Sequence, residues 1–160
     1  MSFDNNLPRW IFASVTKHFF DGLDALNDLP IIIEGQHKDD IDSEDYYELR
    51  INGPVITQLN SKQFQLEFEI NMIVSSTLND TNFHRLYRYV GDCCTVFFTK
   101  LQIFKYGDGS NDDSSLLSCA ELVQDSGSKD AVIVQHYGQI DPNIKLLQAT
   151  VSGKFIILTE

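Results

Sequence analysis

Phe64–Met72 reads FQLEFEINM. Phe64, Leu66, Phe68, Ile70 and Met72 are apolar, and Gln65, Glu67, Glu69 and Asn71 between them are polar. Alternation over nine positions specifies a strand with one face in a core and the other in water. Such a face needs apolar surface to cover it. The rest of the chain is placed around this strand, taken as residues 62–74.

Two segments supply the cover. Residues 7–27 read as a helix, with Pro8 in the first turn, where its missing N–H costs nothing. Ile11, Val15, Phe19, Leu23 and Leu26 form a stripe at three- and four-residue spacing, widened by Trp10, Phe12 and Phe20. Residues 80–102 read as a second helix, with Asn79, Asp80 and Thr81 as candidate N-caps. Its stripe is Phe83, Leu86, Tyr87, Val90, Cys94, Phe97, Phe98 and Leu101, against Arg85, Arg88, Asp92 and Lys100 on the other side.

Between and after the helices the pattern is that of strands and turns. Pro30 forces an extended chain into a short strand at Ile31–Ile33. Tyr47–Asn52 alternates until Gly53 and Pro54 end it, and Val55–Leu59 reads as a short edge piece. Beyond the second helix, Leu116–Gln124, Ala131–Tyr137 and Ile144–Ser152 read as strands. Gly153 breaks the pattern, leaving Phe155–Thr159 as a last strand or, over 153–160, a docking tail. This order predicts one α+β domain over residues 1–160, a mostly antiparallel sheet with two long helices packed on one face.

At 160 residues the chain is long enough to bury a core without staples. Its formal charge is −11, which argues against gripping nucleic acid by its phosphates. Ten acidic residues against one lysine lie between Asp21 and Glu48. Residues 34–45 therefore read as a solvated acidic loop. The alternatives are a partner-facing loop or a divalent-ion loop built on Asp39, Asp40, Asp42, Glu44 and Asp45. Residues 106–114 read as an exposed loop, with Asp108, Asp112 and Asp113 as its oxygen-bearing side chains. The first lacks the spacing and the glycine of a calcium hand. For the second a solvated turn is the default reading, with a weak calcium or magnesium site as the alternative. Cys93, Cys94 and Cys119 are odd in number and form no disulfide framework or zinc spacing. His84 lies nine residues before Cys93 on the same predicted helix, out of hydrogen-bond reach. No catalytic motif, cofactor fingerprint or apolar run long enough to span a bilayer is present, so no enzyme, cofactor or membrane partner is expected.

Element order carries a resemblance. A leading helix RWIFASVTKHFFDGL is followed by a short strand and an acidic loop. Alternating strands YYELRINGP and KQFQLEFEINMIV come next, and then a long helix opening at NDTNFHRLYRYVGD. This order resembles the tail terminator (tail completion) proteins of tailed bacteriophages. The stretch after Lys105 runs longer than in a minimal member. The resemblance implies a homo-oligomeric ring, typically a hexamer, in the virion. Such a ring caps the tail tube, meets sheath and neck proteins, and lets DNA pass through its lumen. Gln63, Gln65, Glu67, Glu69 and Asn71 would then face the lumen or a neighbouring subunit. Asp39, Asp40, Asp42, Asp108, Asp112 and Asp113, with the tail 153–160, would meet tube or neck. The alternatives are another neck or head-completion connector, or a small-molecule-binding α+β domain with a pocket between the second helix and the sheet.

Overall fold

The computed structural model describes residues 3–34, 45–77, 82–107, 114–123, 132–139 and 146–159. FQLEFEINM becomes the first two-thirds of β3 (Phe64–Thr77). Its neighbours are β2 (Tyr46–Gln58) and β7 (Leu146–Thr159), antiparallel to it on either side. β1 (Ile31–Ile33) adds parallel to the inner end of β2. β4 (Leu101–Tyr106) and β5 (Ser114–Leu122) form a hairpin that joins β7 at Phe155 and Ile156, and β6 (Ile133–Gln139) takes the same edge of β7 from Leu147 to Ser152. The seven strands make one sheet, ordered β1-β2-β3-β7-β5-β4 with β6 beside β7, curled into a half-barrel. The helices are α1 (Leu7–Asp24) and α2 (Asn82–Phe98).

The expected balance of two long helices over one sheet face is overturned. Strands make up 53% of the described residues, and the helices run over Leu7–Asp24 and, among the described residues, Asn82–Phe98, against the expected 7–27 and 80–102. α1 closes at Asp24 because Leu23 O accepts from both Leu26 N and Asn27 N. Asn27 is then held outside the helix, donating to Tyr47 Oη and Asp92 Oδ2 and accepting from Leu29 N. α2 stops at Phe98, and Leu101, which extends its stripe in sequence, enters β4 instead. Two residues separate α2 from β4. That short link sends the chain back along α1, so α1 lines the β4 end of the sheet while α2 crosses β3 and β7.

The core joins both helices to the sheet. Leu66, Phe68, Ile70, Met72 and Val74 of β3 are all buried, as the alternation requires. Phe68 stacks on Phe155 (5.8 Å between centroids), Phe155 on Phe97 (6.2 Å), and Phe97 meets Phe19 edge-on (4.9 Å). Four aromatic rings thus link β3, β7, α2 and α1. Gly153 is the position that lets Phe97 in. A Cβ there would lie 3.0 Å from its ring and 3.2 Å from Leu122. Gly153 therefore does not end a strand; residues 153–159 are the second half of β7, with Phe155, Ile157 and Thr159 buried. Tyr47, fully buried, donates from Oη to Tyr89 O at 3.0 Å and accepts from Asn27. Burial raises its hydroxyl pKa well above the ordinary value, so the proton stays for that bond.

Candidate subunit interface

A sheet that does not close leaves main-chain donors and acceptors at its edges, and these must find partners. At β4 the partners come from α1. Ser14 Oγ accepts from Phe104 N at 2.9 Å. Trp10 Nε1 donates to Tyr106 O at 3.0 Å, and Arg9 donates to Tyr106 O and Gly107 O, each at 3.2 Å. Helical spacing places Arg9, Trp10 and Ser14 on the side of α1 that meets this edge, Ser14 and Trp10 being buried there. Lys105 Nζ lies 6.0 Å over the Trp10 ring. The bonds from α1 take up Phe104 N and Tyr106 O, which are then no longer offered to another strand.

β2 is different. β1 covers it at Tyr47–Leu49, and Glu34 N donates to Leu49 O. Among the described residues nothing pairs with β2 from Arg50 onward on the side away from β3. A bulge separates Asn52 from Val55 in the β2–β3 ladder, with Gly53 at φ 101°. Positive φ suits glycine, and a Cβ there would also press on Glu67 O at 3.1 Å. After the bulge Val55, Ile56, Thr57 and Gln58 resume pairing with Glu67, Leu66, Gln65 and Phe64. Val55 is 65% exposed and Ile56 42%, although Ile56 lies on the helix-facing side. The hairpin tip is firm: Asn60 Oδ1 accepts from Lys62 N and Gln63 N, and Leu59 N donates to Gln63 O.

β6 is the other open strand. It pairs with β7 on one side, and no described strand lies on the other. Ile133 (51%), Val134 (43%) and Tyr137 (52%) are exposed, so both faces of β6 carry uncovered apolar groups. His136, opposite Ala149 on the helix-facing side, stacks on Tyr87 of α2 at 5.6 Å.

The residues expected to face a lumen or neighbour divide. Gln63 belongs to the hairpin turn, where its Oε1 accepts from Asn60 Nδ2. Gln65, Glu67, Glu69 and Asn71 share the sheet face away from the helices, each half-buried between β2 and β7. Glu67 stands between Val55 and Ile156, and Glu69 between Asn52 and Lys154. Ser152 Oγ and Asn71 Oδ1 are 2.6 Å apart, the hydroxyl donating. Asp39, Asp40, Asp42, Asp108, Asp112 and Asp113 lie outside the described residues. Of the loop expected over 106–114, Tyr106 ends β4, buried, and Ser114 opens β5.

A cavity of about 460 Å³ opens between α1, the end of α2 and β4, rather than between α2 and the sheet. His18 lines it, its Nε2 donating to Val96 O at 3.0 Å. Burial holds the imidazole below its ordinary pKa of 6.5, against the opposing pull of Val96 O and Asp21. Cys93 is buried, which pushes its thiol pKa up, and all three cysteines are free. Among the described residues no group of His, Cys, Asp or Glu is arranged to hold a metal ion, and no helix is long and apolar enough to cross a membrane. No protein-family model and no curated protein matches the chain.

Proposed function

We propose that this chain is a structural subunit that assembles with copies of itself into a ring. Its role would be that of a phage tail terminator, capping the tail tube and meeting the neck. The observation that carries the reading is the unequal treatment of two edges in one sheet. α1 takes up Phe104 N and Tyr106 O of β4, whereas among the described residues nothing pairs with β2 beyond Leu49 on the side away from β3, where Val55 and Ile56 are exposed. Soluble proteins blunt such edges with charge, proline, a bulge or cover. Past the bulge at Gly53 and Pro54, Val55–Gln58 carries no charge, and an uncovered strand of that kind favours pairing with another chain. A head-to-tail contact of this kind closes into a ring or extends as a filament. The net charge of −11 suits a lumen that passes DNA without retaining it.

Sedimentation velocity and cryo-EM of the pure protein test the assembly, and capping of isolated tail tubes tests the role. Closed rings that bind tube ends are expected. A monomer at every concentration overturns the ring, and rings that ignore tubes but bind a capsid portal favour a connector elsewhere in the neck.

A further inference from the structure

We infer that the outer half of β2 in one copy pairs with β6 of the next copy. This assignment rests on the ring reading and names the two strands that make its repeating contact.

Both strips lack charge in a chain where 22% of residues are charged. Neither Ile51–Ser61 nor Ile133–Gln139 contains an Asp, Glu, Lys or Arg. Two copies carrying −11 each repel at a distance, and they approach at least cost where neither presents a charge. Val55, Ile56 and Thr57 on one strip, and Ile133 and Val134 on the other, are β-branched and suit strand pairing. Val55–Ser61, past the bulge at Gly53 and Pro54, and Ile133–Gln139 contain no proline, and uncharged runs of this composition are those that add to an open edge.

Position fits as well. The strands β6, β7, β3 and β2 form one continuous path, and among the described residues no strand pairs with the outer side of β6 or with the outer side of β2 past Leu49. β6 to β2 of the next copy extends that path, and each copy then gives one edge and receives another. β6 spans Leu147–Ser152 of β7, level with Asn71–Ser76 of β3, whereas Val55–Gln58 is level with Phe64–Glu67. The open edges therefore sit at diagonal corners, and joining them staggers neighbours along the strands by about 27 Å at about 3.4 Å per residue. The incoming β6 occupies the column beside β2 that β1 begins at Ile31–Ile33. Ile56 and Val134 both lie on the helix-facing side, and Val55 and Ile133 both lie on the other, so like faces meet.

The test is a pair of edge variants, Ile56→Asp and Val134→Asp, each exposed enough to leave the monomer folded, with circular dichroism as the check. Loss of one buried aliphatic contact and entry of a charge weaken each contact by on the order of 10- to 100-fold. Sedimentation velocity is expected to show each variant alone as monomer and a one-to-one mixture as dimer that grows no further. In that dimer the intact β6 of one variant meets the intact β2 of the other, and the two remaining edges both carry aspartate. Val55→Asp and Ile133→Asp repeat the test on the opposite face should either first variant fail to fold. Assembly of wild type that survives Val134→Asp or Ile133→Asp, or a mixture that stays monomeric, overturns the pairing while leaving the ring. A monomeric wild type overturns both.

Discussion

Two edges of one sheet are finished differently. The edge of β4 is closed by side chains of α1, with Ser14, Trp10 and Arg9 hydrogen-bonded to Phe104, Tyr106 and Gly107. The outer edge of β2 has no such cover among the described residues, and Val55 and Ile56 stand exposed along it. The same backbone chemistry is present at both. The difference lies in what lies alongside: α1 runs next to β4, and nothing described runs next to β2 past Leu49. An edge closed from within contributes to folding, and an edge left open is available for association.

The largest effect is expected where both edges share support. Phe68→Ala removes the β3 member of the aromatic chain and costs about 3–5 kcal/mol in urea unfolding, loosening β2 and β4 alike. Next, Ser14→Ala strips the cover from Phe104 N at a buried site. A loss of about 1–3 kcal/mol is expected, and the amide of Phe104 then exchanges faster. Thr57→Ala on the open edge changes monomer stability by less than about 0.5 kcal/mol, which sharpens the contrast, since the guarded edge is sensitive and the open one is not. Salt acts on assembly through the like charges of the approaching copies. Screening of the like charges strengthens assembly between low and about 0.15 M ionic strength, measured as a shift of the sedimentation boundary, with the unfolding midpoint of the monomer little moved.

The smallest effect concerns His18, beside the guarded edge. Its folded pKa lies below 6.5, so the unfolded state takes up the proton first as pH falls. Stability is full above pH 6.5 and declines as pH drops toward the lower folded value. His18→Gln flattens that part of a stability-against-pH curve, and an unchanged slope would assign it to other groups.

The strand at Phe64–Met72 was legible because period two has one structural meaning when one side is uniformly apolar. The boundaries of α2 were less so. Leu101 continues the 3.6-residue stripe, and only the β4–β5 pairing, which no local pattern encodes, makes it a strand residue. Gly153 looks like a break because glycine weakens strands, yet here it makes room for Phe97 from another element. Gln65, Glu67, Glu69 and Asn71 read as a wet face, and they are half-buried between β2, the preceding strand of the hairpin, and β7, about eighty to ninety residues further along, with Val55, Lys154 and Ile156 beside Glu67 and Glu69. Val55–Leu59 could be read as an edge piece, but whether an edge is guarded depends on what folds beside it. Arg9, Trp10 and Ser14 carried no sign that they would meet residues ninety or more positions away.

Hydrogen exchange read residue by residue, at protein concentrations spanning assembly, probes the contrast most directly. Amides of Val55–Gln58 that point away from β3 should exchange rapidly in dilute protein and become protected as the mass rises to that of a ring, while Phe104 stays protected throughout. Rings formed with those β2 amides still exchanging at the dilute rate would contradict the account.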